Sequence, residues 1–127
     1  MNKPPISKDL IKNFIKSYVK SKVFRNPRLD PFILAYFVTF RCNLQCSYCS
    51  YSKLNYSTKF KELDTSKTKE ILRICREIAP SLAISGGEPL IREDITDIVK
   101  HAKELKYKPI SLFTNSLLLP DKEEILE

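Results

Sequence analysis

The chain lacks the long apolar stretches that mark a membrane protein. Its longest strongly apolar run covers residues 31–40, which is about half of the ~20 residues that a membrane-spanning helix needs. No signal-peptide pattern opens the sequence. Glycine is also scarce, because the chain has only two and both stand together at positions 86 and 87. We therefore expect a protein of the cytoplasm in which the glycine pair marks a special point of the backbone.

The composition is that of a soluble globular protein, with 43% hydrophobic and 29% charged residues. The net charge of +7 favours anionic partners in general, such as acidic lipid or phosphorylated metabolites. The basic residues are spread along the chain, so a solvated surface is the simpler interpretation and no nucleic-acid partner is expected. The 127 residues suit one domain, but they fall short of the ~250 of a complete eight-unit βα barrel.

The first part of the chain has a basic amphipathic pattern. Residues 6–24 carry apolar side chains at three- and four-residue steps with lysines between them, which predicts a helix. Such a helix could lie on a membrane surface, although packing of its apolar stripe against the rest of the protein is the commoner outcome. Residues 25–31 contain two prolines and form the predicted linker. We therefore divide the chain into 1–31, the helix and linker, and 32–127, the remaining domain.

The second part alternates strand and helix patterns. Branched and aromatic runs predict three strands, at residues 32–40, 82–85 and 110–114. Apolar residues at helical spacing predict helices from a cap at Thr65 or Ser66 to Pro80, from 94 to 106, and starting again at Asp121. This alternation favours an α/β fold with a parallel sheet and right-handed crossovers. The loops after parallel strands gather at one edge of the sheet, where sites are normally built.

Three cysteines lie within eight residues directly after the first predicted strand, as Cys42, Cys46 and Cys49. They are too crowded for an ordinary disulfide framework, and a reducing compartment keeps them as thiols that a metal can bind. Three thiolates on one tight loop can hold three irons of a four-iron cluster. The fourth iron then has no protein ligand, and an open position is what a catalytic metal site needs. The spacing matches neither ferredoxin pattern.

A zinc site is the alternative, and it needs a fourth ligand of the right type. The two candidates are Cys75 and His101. Cys75 stands on the predicted apolar face of the helix that follows the cysteines, together with Ile74 and Ile78, so we expect it to pack in the core. We expect His101 at the surface or at the boundary of the next helix's apolar stripe. The triplet alone favours the cluster but leaves zinc open.

The glycine pair stands at the end of the second predicted strand, in Ser85-Gly86-Gly87-Glu88-Pro89. Glycines at this point indicate unusual dihedral angles or a close approach to a ligand, and a plain turn is the alternative. The predicted topology brings this turn to the same edge as the cysteine loop. Asn115 follows Thr114 at the end of the third strand on that edge, where an ordinary turn is again the alternative.

The stretch from Cys42 to Cys49, with Tyr48 before the last cysteine, resembles the cluster signature of the radical S-adenosylmethionine (radical SAM) superfamily. The turn from Gly86 to Pro89 resembles the second signature of that family. The resemblance implies a [4Fe-4S] cluster held by Cys42, Cys46 and Cys49, whose open iron is chelated by S-adenosylmethionine. It assigns S-adenosylmethionine binding to Gly86, Gly87 and Glu88, and it places Tyr48 and Asn115 beside the cofactor space; for Tyr48 and for Tyr51, simple loop packing is the equal alternative.

The resemblance covers roughly residues 32–121 and implies the amino-terminal half of the catalytic domain. The expected fold is an incomplete TIM-type βα barrel of about three parallel units after an N-terminal helix, with the third strand as an exposed edge. The implied reaction is reductive cleavage of S-adenosylmethionine to a 5′-deoxyadenosyl radical, which abstracts hydrogen from a substrate. The implied partners are a one-electron donor such as flavodoxin or ferredoxin, and the missing carboxyl-terminal half or a partner chain. The alternative is a truncated, non-catalytic fragment that binds a cluster, or zinc, without turnover.

Overall fold

The computed structural model describes residues 8–23, 30–51 and 61–126. The helices and strands, in chain order, are α1 (Lys8–Val23), β1 (Ile33–Thr39), α2 (Thr65–Arg76), β2 (Ser81–Gly86), α3 (Ile95–Glu104) and β3 (Ile110–Leu112). Two 3₁₀ turns cover Pro89–Ile91 and Pro120–Ile125. The predicted alternation of strand and helix is therefore confirmed.

The three strands form one parallel sheet in the order β1-β2-β3. Ile33 pairs with Ser81 at the start of the β1–β2 ladder, and Thr39 pairs with Gly86 at its end. In the β2–β3 ladder, Ile84 pairs with Leu112. Because the strands run in the same direction, their carboxyl ends meet at one edge of the sheet. This is the expected three-unit α/β arrangement of a partial TIM-type barrel.

Helices α2 and α3 cover one face of the sheet and form the core with it. The side chains of Leu72, Ile95 and Ile98 are fully buried there, against Leu82 and Ile84 of β2. Alternate residues of β1 point to the opposite, more open face, where Phe37 is 41% exposed. The alternation arises because successive strand side chains point to opposite faces. The chain thus builds a sheet with helices on one side and an accessible surface on the other.

The start of α2 differs from the prediction. Asp64, rather than Thr65 or Ser66, is the capping residue, because its Oδ1 accepts a hydrogen bond of 2.8 Å from the backbone N–H of Lys67. Thr65 instead donates its hydroxyl proton to Asp94 Oδ2 at 2.6 Å. Asp and Thr are both common capping residues, and Asp64 and Thr65 are adjacent. The sequence therefore does not show which of the two caps the helix.

The predicted apolar face of α2 was also partly wrong. Ile74 of α2 is 51% exposed and Ile78, two residues beyond the end of the helix, is 57% exposed, whereas Leu72 and Thr68 of α2 are fully buried. Cys75, expected in the core, is only partly buried. The helix turns the i, i+4 pair of Thr68 and Leu72 toward the sheet, so positions 74, 75 and 78 lie beside or outside the core contact.

The apolar stripe of α1 is more exposed than expected. Its large apolar side chains are 46 to 55% exposed over five positions, namely Ile11, Phe14, Ile15, Tyr18 and Val19. The buried residue of the helix is instead Ser17, whose hydroxyl oxygen accepts the backbone N–H of Asp30 at 2.9 Å. Packing of the whole stripe against the described part of the protein is therefore wrong.

Three further bounds differ from the predictions. Helix α2 ends at Arg76 rather than at Pro80. The third strand ends at Leu112 rather than at residue 114, because the chain then turns so that Thr114 and Asn115 can bond to Glu88. The predicted helix start at Asp121 is a 3₁₀ turn, within which the backbone of Lys122 is not helical. Among the residues that the structure describes, no helix has both the length and the apolar character needed to cross a membrane.

Candidate functional site

The ends of β1 and β2 are joined directly by backbone hydrogen bonds. The N–H of Gly87 donates to the carbonyl of Thr39 at 2.9 Å, and the N–H of Glu88 donates to the carbonyl of Arg41 at 2.8 Å. Arg41 is the residue immediately before Cys42. The glycine turn is thus bonded to the backbone that leads into the cysteine loop, as the topology predicts.

Both glycines are required by this contact. A Cβ atom on Gly86 would lie 2.1 Å from the carbonyl oxygen of Thr39, and one on Gly87 would lie 2.2 Å from that of Arg41. Gly86 also has a φ of +145°, which side-chain-bearing residues rarely adopt. The unusual dihedral angle predicted for the glycine pair is therefore found at Gly86. The close approach is that of β2 to β1 at the site edge, which no sequence pattern indicates.

Glu88 is fully buried and its carboxyl group accepts three hydrogen bonds. Oε1 accepts the N–H of Leu90 at 2.9 Å and the hydroxyl of Thr114 at 2.8 Å. Oε2 accepts the N–H of Asn115 at 2.7 Å. The side chain therefore ties the end of β2 to the turn after β3, and it is occupied inside the protein rather than directed to solvent.

Asn115 extends this connection to the cysteine loop. Its Nδ2 donates a hydrogen bond of 2.8 Å to Oδ1 of Asn43, the residue between Cys42 and Leu44. The ends of all three strands are therefore joined by hydrogen bonds around one region of the sheet edge. Asn43 was not singled out by the sequence, because one asparagine in a loop has no spacing signal.

The three cysteines of the loop are thiols that can be reached from solvent. None of the four cysteines of the chain is in a disulfide; Cys42 is exposed, and Cys46 and Cys49 are partly buried. Two hydrogen bonds join neighbouring residues of the loop: the N–H of Leu44 donates to Cys42 Sγ at 3.4 Å, and the N–H of Cys49 donates to the carbonyl of Cys46 at 3.1 Å. Within 8–23, 30–51 and 61–126, no three ligand side chains are grouped closely enough to hold a single metal ion.

This donor set fits an iron-sulfur cluster in its chemistry. Accessible thiols are the ligands that such clusters take, and the loop supplies three of them within eight residues. Each thiolate of a cluster binds a different iron, so the sulfurs need not converge on one point as they would around zinc. Cys42, Cys46 and Cys49 are therefore the residues that would hold a cluster here.

The two tyrosines of the loop occupy different surroundings. Tyr48 is 87% exposed, and a hydrogen bond with the Cys46 side chain raises the pKa of its phenol. Tyr51 packs against Phe37 and Phe40, with ring centroids 5.8 and 5.7 Å apart. These aromatic rings attach the far end of the cysteine loop to the open face of β1.

The candidate fourth zinc ligands lie on the helices. Cys75 is on α2, and His101 is on α3, where its Nδ1 lies 3.3 Å from Glu104 Oε2. The side chain of His101 is 23% exposed, so its predicted place at a boundary is confirmed.

A group of charged residues beside the site was missed by the sequence analysis. Glu62 accepts hydrogen bonds from Arg41, at 2.7 Å from its Nε, and from the hydroxyl of Thr39. Burial opposes ionisation of Glu62, but these two bonds outweigh it and lower the pKa of the carboxyl. The pair Arg41–Glu62 therefore links the segment before α2 to the residue preceding Cys42.

Arg92 is the buried member of this group, with a side chain only 5% exposed. Its Nη1 donates to the carbonyl of Val38 at 2.8 Å and to that of Leu63 at 3.1 Å. Its other nitrogens bind both carboxylate oxygens of Asp94, at 2.8 and 2.6 Å. The hydrogen bond from Arg92 holds the pKa of Asp94 down at about 2. A basic residue in a turn usually predicts a surface position, so no sequence signal marks this role.

The fold is a partial TIM-type α/β fold, and a loop with three thiols follows its first strand at the carboxyl edge of the sheet. These features define the class as α/β proteins with a cysteine loop at the site edge. The family model of the radical SAM superfamily matches residues 36–127. The chain therefore belongs to the radical SAM superfamily, as the two motifs predict. Membership implies a [4Fe-4S] cluster, S-adenosylmethionine and a source of electrons.

The chain is similar in sequence to a curated protein and in structure to a solved one. Over 101 residues the chain is 35% identical to a probable GTP 3',8-cyclase of Methanothermobacter marburgensis, a match that covers 79% of this chain and 32% of that protein. The chain thus spans about a third of the length of this curated relative. The crystal structure of Streptococcus suis SuiB bound to S-adenosylmethionine matches with a TM-score of 0.60 and 25% identity, over 99% of this chain and 27% of that one.

Proposed function

We propose that this chain holds a [4Fe-4S] cluster through Cys42, Cys46 and Cys49 and binds S-adenosylmethionine beside it. The observation that carries the proposal is the hydrogen-bonded junction of the three strand ends. It brings the glycine turn and Asn115 to the cysteine loop through backbone bonds of 2.8 and 2.9 Å and a side-chain bond of 2.8 Å. When both groups are bound, one-electron reduction would cleave the sulfonium to give a 5′-deoxyadenosyl radical that takes hydrogen from a substrate.

The residues of the turn divide the work of binding S-adenosylmethionine. The absent side chains of Gly86 and Gly87 make room for the carbonyls of Thr39 and Arg41, so the contribution of the glycines to binding is to hold the turn beside the cysteine loop. The carboxyl of Glu88 is occupied by Leu90, Thr114 and Asn115, so its contribution to binding is to fix the backbone of the turn. The amide of Asn115 and the exposed phenol of Tyr48 would line the cofactor space.

The proposed function also needs an electron donor, further strands for the substrate pocket and a suitable surrounding for the chain. An electron donor such as flavodoxin or ferredoxin would reduce the cluster, and a cytoplasmic setting would keep the thiols reduced. The chain spans 32% of the curated relative, so further strands, from a longer chain or a partner, would complete the substrate pocket. The half-exposed apolar stripe of α1 and its lysines would allow contact with a membrane surface.

The test is anaerobic reconstitution of the chain with iron and sulfide, read by electron paramagnetic resonance before and after S-adenosylmethionine is added. We expect a four-iron signal that shifts on addition. Cys42→Ala, Cys46→Ala and Cys49→Ala should each abolish the cluster. Cys75→Ala is the matched control, because that thiol is on α2 and should leave cluster content unchanged. A chain that keeps stoichiometric zinc and forms no cluster would refute the proposal.

A second candidate function is a non-catalytic one, in which the chain binds a cluster without turnover. In that case turnover would need the strands of the catalytic domain that lie outside the matched 32% of the relative. The two candidates are separated by incubating the reconstituted chain with dithionite and S-adenosylmethionine and measuring 5′-deoxyadenosine by chromatography. Formation of this product supports the enzyme, and its absence beside a normal cluster signal supports the binding protein.

A further inference from the structure

We propose that Asn43 and Asn115 form a positioning pair that holds the first turn of the cysteine loop in place for its cluster. The inference rests on the proposed function. It starts from the hydrogen bond of 2.8 Å between Asn115 Nδ2 and Asn43 Oδ1, which joins residues 72 positions apart in the sequence. Neither residue is a proposed cluster ligand. The pair would instead position Cys42 by holding Asn43, the residue that follows it in the chain.

Asn115 is fixed at three points, and this determines which of its atoms faces the loop. Its backbone N–H donates to Glu88 Oε2 at 2.7 Å, and its Oδ1 accepts the N–H of Leu117 at 3.1 Å. The oxygen of the side-chain amide is therefore occupied, and Nδ2 is the atom that faces Asn43. A donor at this point requires an acceptor opposite, which Asn43 Oδ1 supplies. The orientation of both amides follows from the network.

The bond acts at the turn that orients the first thiol. Asn43 lies between Cys42 and Leu44, and the N–H of Leu44 donates to Cys42 Sγ at 3.4 Å. If Asn43 is held, the backbone that carries Cys42 and Leu44 on either side of it is held as well. The positions from Cys42 to Gln45 are all exposed, so no buried side chain anchors this part of the loop. Hydrogen bonds are then the means by which it can be ordered.

The consequence is a slower loss of iron from the assembled site. A loop whose first thiolate is already ordered gives up less conformational freedom on binding. One neutral hydrogen bond changes such an equilibrium by about two- to tenfold. We therefore expect Asn43→Ala and Asn115→Ala each to speed the release of iron to a chelator by about two- to tenfold.

The double variant tests whether the two residues act as a pair. If they act through one shared bond, Asn43→Ala combined with Asn115→Ala should release iron no faster than the more affected single variant. Effects that multiply in the double variant, or single variants that match the wild type, would overturn the inference. The measurement is the rate of chelator-bound iron formation under anaerobic conditions, followed by absorbance.

Three further variants separate the bond from general damage to the loop. Asn43→Asp keeps an acceptor opposite Asn115 Nδ2 but adds a negative charge near Cys42 Sγ, so it is compared with Gln45→Glu, which adds the same charge to the loop; the two should release iron at the same rate. Gln45→Ala removes an amide from the same loop that makes no hydrogen bond within the described residues, and it should release iron like the wild type. An Asn43→Asp variant faster than Gln45→Glu, or a Gln45→Ala variant as fast as Asn43→Ala, would overturn the inference.

A measurement on the cluster-free chain separates this inference from the proposed function. In the nuclear magnetic resonance spectrum, Asn43→Ala should shift the side-chain NH₂ signals of Asn115, while Gln45→Ala should not. If the wild type takes up no cluster, the proposed function fails, and a shift of these signals still supports the pairing. If they do not move, the pair does not exist in solution and the inference fails whatever the cluster does.

Discussion

Replacement of Glu88 should destabilise the fold in a graded way. The side chain is fully buried and accepts the N–H groups of Leu90 and Asn115 and the hydroxyl of Thr114. Glu88→Ala leaves all three donors without this acceptor. Glu88→Gln keeps Oε1 for Leu90 and Thr114 but places an NH₂ group opposite the N–H of Asn115, so only one bond is lost.

The magnitudes follow from the number of donors left unsatisfied. Each buried donor without a partner costs about 1–3 kcal/mol. The bond to Leu90 is fully buried, whereas Thr114 and Asn115 are only partly buried and can be reached by water, so they stand at the low end of that range. We expect a loss of about 3–5 kcal/mol of unfolding free energy for Glu88→Ala and about 1–2 kcal/mol for Glu88→Gln. A total stability of about 5–15 kcal/mol leaves the Gln variant folded and measurable.

The assay is urea unfolding of the cluster-free chain under reducing conditions, followed by circular dichroism. Glu93→Ala is the matched control, because Glu93 is an exposed carboxylate in the turn just before α3, and its loss should change the free energy by less than about 0.5 kcal/mol. If both Glu88 variants unfold at the urea concentration of the control, the carboxyl group does not hold the strand ends together and the reasoning is wrong.

Three more changes should act through other parts of the fold. Gly86→Ala forces a Cβ to within 2.1 Å of the carbonyl of Thr39 and should cost about 2–4 kcal/mol in urea unfolding, while Ser85→Ala should be nearly neutral. Asp94 has its pKa lowered to about 2 when folded, so its stabilisation is complete above its unfolded pKa and is lost as pH falls toward 2. Asp94→Asn should therefore remove about 1–2 kcal/mol of the stability difference between pH 5 and pH 2.5, and an unchanged acid dependence would contradict this. Tyr107→Phe removes a buried hydroxyl that donates to a carbonyl of α2 at 2.7 Å and should cost about 1 kcal/mol, measured as a shift of the urea midpoint.

The order of strands and the site edge could be predicted from the sequence because they follow from periodicity. Strand and helix patterns alternate from residue 32 onward, and a parallel sheet then brings the strand ends to one edge. The bounds were less certain, since they depend on side-chain bonds across the sheet. β3 ends at Leu112 because Thr114 and Asn115 turn toward Glu88, and no local pattern encodes that partner.

The site was predictable where its chemistry is carried by rare residues. Cysteines at 42, 46 and 49 and the two adjacent glycines stand out against the rest of the composition. The groups that arrange them do not, because Asn43, Glu62 and Arg92 belong to residue types that are common on surfaces. Their hydrogen-bond partners distinguish them, and those partners come together only in the assembled sheet. For the same reason the exposure of the α1 stripe could not be read from its helical spacing.

The buried fork of Arg92 has a consequence for how this region of the chain can vary. Its guanidinium donates hydrogen bonds to the carbonyls of Val38 and Leu63. The end of β1 and the segment that leads into α2 are therefore both bonded to one side chain. A substitution of Arg92 should therefore act on both segments at once, and neither the end of β1 nor the approach to α2 can shift its position independently of the other.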